Sequence, residues 1–215
     1  MNDPSRSSAP VVPRRRGRGR RPADQVRQDI VDAAGRVLLA EGMAAFTIER
    51  VAAVAGASKM TIYKWWPSKG ALALDGYFAA VESTLTFPDT GDIEADLTTQ
   101  LLALVRLLRD TGAGRVIAEL VGQAQTDPAL AAALAANYSR PRRALAVEAI
   151  MRAQARGQVR HDVDPETVVD QLWGACYHRL LQPDQPLSDQ FARDIVHNLT
   201  VGLRCPDDQP SGSGS

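Results

Sequence analysis

Lys59, Met60, Tyr63 and Lys64 crowd into one short stretch, at spacings that set two cations, a phenol and a thioether on the outward side of a helix. Ile62 and Trp66, four residues apart, take the inward side. Solvent alone does not favour an outward Met or Tyr, whereas phosphates and base edges do. Upstream, Arg14-Arg15-Arg16-Gly17-Arg18-Gly19-Arg20-Arg21-Pro22 places Arg18 and Arg20 around a glycine. That pattern suits insertion into a narrow A·T minor groove; a purely electrostatic tail attracted to phosphates is the other reading. Bond-making chemistry is not spelled out. His161, His178 and His197 lack metal-ligand spacing, and there is no phosphate-cradling glycine loop or nucleophile elbow. Cys176 and Cys205 are too few for a disulfide framework. The expectation is a recognition protein, not an enzyme, with no cofactor and no metal.

The elements that must position these residues are helical. Hydrophobic residues make up 45% and aromatics 5%, and Ala and Leu dominate the apolar set, which favours helix over sheet. The chain is neutral overall, but residues 1–74 carry 13 Lys/Arg against 6 Asp/Glu, and residues 75–215 carry 12 against 19. A basic first third joined to an acidic remainder points to a nucleic-acid-binding end. The pattern predicts an all-α fold of about nine helices. The first runs over 23–41 and stops at Gly42. Thr47 caps a short helix to Ala55, Gly56 turns the chain, and Ser58 caps a third over 59–66. Ser68 starts a fourth that links on to about residue 86. Five more follow at 93–110, 114–125, 128–157, 165–182 and 188–203, with a kink or split at Pro141. The expected organisation is a disordered basic arm (1–22), a helix-turn-helix domain (23–72), a ligand-binding and dimerisation domain (87–204) and a disordered tail (205–215). No run approaches the ~20 apolar residues of a membrane span, and the basic start lacks the apolar core of a signal peptide. No membrane partner and a cytoplasmic, nucleoid-associated place are expected.

Thr47-Ile48-Glu49-Arg50-Val51-Ala52, Ala55-Gly56-Ala57-Ser58, Thr61-Ile62-Tyr63 and Pro67-Ser68-Lys69-Gly70-Ala71-Leu72 together resemble the N-terminal domain of TetR-family repressors. Asp127-Pro128-Ala129-Leu130, Pro141-Arg142-Arg143, Ala155-Arg156-Gly157, Asp162-Val163-Asp164-Pro165 and Tyr177-His178-Arg179-Leu180-Leu181 resemble one group of TetR C-terminal domains. The resemblance implies that Lys59, Met60 and Thr61 meet base edges and that Thr47, Tyr63 and Lys69 grip phosphates, with Ser58, Lys64 and Trp65 beside them. Two positions depart from many relatives, which carry Gly at Met60 and His at Trp65. Met60 can touch a thymine methyl; Trp65 can donate one hydrogen bond but cannot become cationic. The resemblance further implies a homodimer through Val169, Leu172, Trp173, Cys176, Leu180, Phe191, Ile195 and Leu199. It also implies a small-molecule effector, for which Leu104, Leu108, Ile117, Val121, Tyr138, Met151, Trp173 and Tyr177 are the apolar and aromatic candidates. The expected function is a ligand-responsive repressor of a pseudo-palindromic operator. The competing expectation is a nonspecific or architectural DNA-binding protein that uses the arm.

Overall fold

Side-chain caps set the starts of the N-terminal helices in the computed structural model, which describes residues 21–84, 86–182 and 184–203. α1 (Ala23–Ala45) buries Ile30, Ala33, Ala34, Val37 and Leu38, the stripe that a 3.6-residue period predicts. Its expected stop at Gly42 is instead a break within the helix: Gly42 takes φ 77° and ψ 175°, and a further turn reaches Ala45. Thr47 caps α2 (Ile48–Ala55) by accepting the Arg50 N–H at 3.1 Å. Gly56, at φ 61°, then turns the chain, a conformation open to glycine at no steric cost. Ser58 caps α3 (Lys59–Tyr63) through the Thr61 N–H. α3 ends short of the expected Trp66 because its last turn tightens, the Trp65 N–H reaching back to Ile62 O at 3.0 Å. Ser68 caps α4 (Lys69–Val81), and the continuation expected to Leu85 is a 3₁₀ turn over Glu82–Thr84.

The second half comprises α5 (Ile93–Asp110), α6 (Ala113–Ala124), α7 (Pro128–Leu134), α8 (Arg140–Ala155), α9 (Pro165–Leu181) and α10 (Asp189–Leu203). The carboxylates of Asp92, Asp127 and Asp164 cap α5, α7 and α9. Pro128 and Pro165 stand in first turns, where a missing N–H costs nothing. α7 and α8 are joined without interruption by a π turn, Ala135–Ser139, in which the Arg140 N–H bonds Ala135 O. This is the form that the kink expected at Pro141 takes. Proline has no N–H to give, and its ring crowds the carbonyl four residues back, here Asn137. With α7, the π turn and α8 taken as one bent rod, the described residues form nine helical rods and no strand.

Close packing joins the two halves. α1 and α4 cross at Gly76, where a Cβ would lie 2.6 Å from Ala34 Cβ. Phe46, Val51, Ile62, Trp66, Leu72 and Tyr77 fill the core beneath the turn, and Trp66 satisfies its buried indole N–H on Asp75 at 2.8 Å. α6 abuts the end of α1: Glu119 accepts the Met43 N–H at 3.1 Å, and Gly112 faces Leu39 O so closely that a Cβ would sit 2.0 Å from it. Arg106 and Arg109 clasp Asp189, tying α10 to α5, and their hydrogen bonds draw its carboxyl down to about 2.

Candidate DNA-reading surface and effector cavity

Around α3 the structure separates anchored side chains from presented ones. Ile62 and Trp66 are buried, as the spacing predicts. Met60 is 86% exposed and Tyr63 55%; leaving that much apolar surface in water forgoes stabilisation of about 25 cal/mol per Å². Lys59 is held by Glu49 of α2, Nζ to Oε1 at 2.8 Å. That hydrogen bond lowers the Glu49 carboxyl pKa and raises that of Lys59. The Thr61 and Ser58 hydroxyls share a hydrogen bond at 2.8 Å. The Lys64 ammonium lies 6.0 Å from the centre of the Trp65 ring, which packs edge-on against Trp66. Thr47 is exposed at the start of α2. Lys69, also exposed, donates one hydrogen bond to Met43 O at 3.3 Å and forms no ion pair among the described residues. Arg21 has a role the sequence did not disclose. It pairs with Asp29 at 2.8 Å and donates to Gly56 O at 2.9 Å, pinning the root of the basic arm to the turn before α3. Arg18, Arg20 and Cys205 lie outside the described residues.

Of the eight effector candidates, Leu104, Ile117, Val121, Tyr138, Trp173 and Tyr177 converge on one cavity of about 130 Å³ between α5, α6, the α7–α8 rod and α9. Two do not. Leu108 is buried beside the α5–α6 turn, away from the cavity wall. Met151 is 56% exposed, on the side of α8 away from buried Ala146, Ala149, Ile150 and Ala153. Phe87, Gln100, Leu134, Ser139, Arg142 and Leu145 complete the lining. Gln100 was legible as a polar residue inside the apolar stripe Leu97, Leu101, Leu104, and Arg142 as the residue one turn beyond Tyr138. Tyr138 joins the cavity to α4: its ring stacks on Phe78 at 5.0 Å and meets Tyr77 edge-on at 5.8 Å. Burial pushes the phenols of Tyr77 and Tyr177 well above their ordinary range.

The residues expected at a dimer face divide by their burial in the single chain. Val169, Leu172 and Cys176 are 0–3% exposed and belong to the interior of the single chain, and burial pushes the Cys176 thiol up to about 12. Trp173 is a cavity wall. Leu180, Phe191, Ile195 and Leu199 are half-buried, with the Arg179 guanidinium 3.7 Å over the Phe191 ring. The exposed residues of these helices include Gly174, His178 and Leu181 on α9 and Asn198, Val201 and Gly202 on α10, alongside charged and polar positions such as Asp170, Gln171, Arg193 and Asp194. The stripe of α9 is thus largely spent on the core, whereas Leu180 and the α10 residues Phe191, Ile195 and Leu199 still reach the surface.

An all-helical chain with a capped helix-turn-helix and a separate cavity-bearing bundle defines a one-component DNA-binding regulator. Comparison with known proteins agrees. Residues 30–75 match the domain described as bacterial regulatory proteins, tetR family, and residues 87–199 the tetracyclin repressor-like C-terminal domain. An uncharacterized HTH-type transcriptional regulator of Bacillus subtilis, YdeS, is 34% identical over 87% of this chain and 94% of its own length. The DNA-binding transcriptional repressor TetR of Mycobacteroides abscessus is 29% identical over 80% of this chain and 90% of its own. The crystal structure of the TetR family transcription regulator SCO0332 superposes with a TM-score of 0.77 at 56% identity, covering 85% of this chain and all of that one. The chain belongs to the TetR family of DNA-binding transcriptional regulators. Among the described residues no helix is long and apolar enough to cross a membrane.

Proposed function

We propose that the protein is a homodimeric repressor that holds a pseudo-palindromic operator with two copies of α3 and releases it when a small molecule occupies the cavity. The observation that carries this reading is the presentation of Met60 and Tyr63, 86% and 55% exposed, beside a Lys59 already oriented by Glu49. Lys59, Met60 and Thr61 read base edges. Thr47, Tyr63, Lys64 and Lys69 grip phosphates, with Ser58 and Trp65 bracing them, and Arg18 and Arg20 follow the backbone or enter the minor groove from the root fixed by Arg21. Two-fold symmetry sets half-sites one helical turn apart or a multiple of it. The outward faces of α9 and α10 supply the dimer contact.

Release requires a ligand with different affinities for two arrangements of the molecule. α6 is suited to transmit it: Ile117 and Val121 face the cavity while Glu119, on the same helix, holds Met43 at the end of α1. The protein would act in the cytoplasm, where its DNA lies. Competition binding on genomic fragments tests the regulator reading: a specificity ratio of roughly 10³ or more is expected, and uniform affinity across fragments would rule it out in favour of an architectural role. Repeated across salt concentrations with a chain lacking residues 1–20, the same measurement should give a shallower log–log slope, by about 0.9 for each phosphate the arm neutralises. An unchanged slope would show that the arm does not touch DNA.

A further inference from the structure

We infer that the effector is a small aromatic carboxylate whose negative charge is taken by Arg142. This rests on the cavity being the effector site and goes on to name the chemistry it accepts. The walls contributed by Phe87, Tyr138, Trp173 and Tyr177 favour a flat ring. The cavity, about 130 Å³, is close to but no larger than the roughly 150 Å³ that takes benzene, so it admits a single ring at most and leaves the carboxylate toward Arg142, which also borders the adjoining groove. Two polar groups set what the ring must carry. Arg142 lines the cavity with its guanidinium 4.6 Å over the Tyr138 ring, and among the described residues it is paired with no carboxylate. Glu82 lies along the neighbouring groove that Arg142 also borders, yet forms no ion pair with it. Gln100 is 4% exposed, lines the same cavity, and has no hydrogen-bond partner among the described residues. Buried amides are rarely left so.

A guanidinium held over an aromatic face keeps its N–H fork free to accept a carboxylate in a bidentate pair. Gln100 adds a donor and an acceptor for a second polar substituent such as a ring hydroxyl. Arg142 is half-buried and borders the adjoining groove as well as the cavity, so it stays hydrated when free and can turn its charge to an anion seated in the cavity. The backbone supports the assignment, since the π turn and Pro141 set the register of Tyr138, Ser139 and Arg142 at the cavity, and π turns gather at functional sites.

Benzoate and benzamide, matched in shape and differing in charge, test this on the full chain by calorimetry, with Trp173 fluorescence as a second signal. Benzoate should bind at least roughly tenfold more tightly than benzamide, the span of a charge-assisted hydrogen bond. Arg142→Gln should remove that preference by weakening benzoate while leaving benzamide within about twofold, and Arg142→Lys should restore part of it; thermal melts verify that both variants fold. Equal affinity for the two probes, no saturable benzoate binding, or an unchanged preference in Arg142→Gln would each overturn the assignment. Operator release is read separately. Arg142-dependent benzoate binding that leaves DNA affinity unmoved upholds the ligand class and refutes the regulatory reading; release by neutral aromatics with no charge preference does the reverse.

Discussion

Lys59 stands between two competing anions, the Glu49 carboxylate behind it at 2.8 Å and whatever approaches α3 from the front. Exposed ion pairs of this kind add little to stability, so the pair can yield to a base edge while still limiting the rotamers Lys59 samples. Lys59→Ala should therefore cost about 1–3 kcal/mol on the matched operator and relax preference at one base pair. Tyr63→Phe should weaken binding to all sequences alike, because phosphate contacts carry no sequence information. Binding measured on the operator and its single-base variants separates the two; an unrelaxed preference in Lys59→Ala would remove Lys59 from the reading face. These residues were legible because DNA contact leaves an odd mark, an outward Met and Tyr on a short helix. Gln100 and Arg142 were not selected, since choosing cavity residues by apolarity passes over the polar groups that would orient a ligand.

Caps and glycines, at the scale of elements, made most helix boundaries readable: Thr47, Ser58 and Ser68 each cap where expected, and Asp127 and Asp164 cap the helices that begin at Pro128 and Pro165. What local sequence cannot carry is the register of one helix against another. Pro141 announced a break, but nothing local announced the π turn over Ala135–Ser139 or the exposure of Met151. Glycines show the same division on a single helix. Gly122 of α6 is exposed and a Cβ there would meet nothing within 4 Å, whereas at Gly112, the residue before α6, it would lie 2.0 Å from Leu39 O. Gly122→Ala should stabilise the protein by up to about 1 kcal/mol through helix propensity. Gly112→Ala forces a backbone shift at the α1–α6 junction and should cost about 3 kcal/mol, the upper end for overpacking, or roughly 6–12 °C in melting temperature. Opposite shifts in thermal melts are the expected result; a harmless Gly112→Ala would mean that α6 is not seated tightly against α1.

Reading an operator as a pseudo-palindrome is a property of the whole molecule, because one copy of α3 addresses only one half-site. The charge distribution serves this arrangement: the excess of Lys and Arg lies in residues 1–74, and the acidic excess in residues 75–215 disfavours docking on DNA by the wrong end. The proposed dimer would then form through α9 and α10. With Val169, Leu172 and Cys176 committed to the interior, the outward face of α9 and α10 centres on Gly174, Leu181, Val201 and Gly202. A Cβ at Gly174 or Gly202 would meet no atom within 4 Å in the single chain, so these positions place no steric demand on the monomer while allowing a partner's helices to approach closely. Gly174→Arg should accordingly leave the monomer folded, with unchanged helicity, but set an unpaired cation in the path of a second copy, and an unpaired charge buried in an interface costs several kcal/mol. Sedimentation should show a monomer, and operator binding should lose most of the roughly 10³-fold preference over random DNA that two half-sites confer together. A Gly174→Arg protein that stays dimeric and keeps its operator affinity would move the interface off this face of α9.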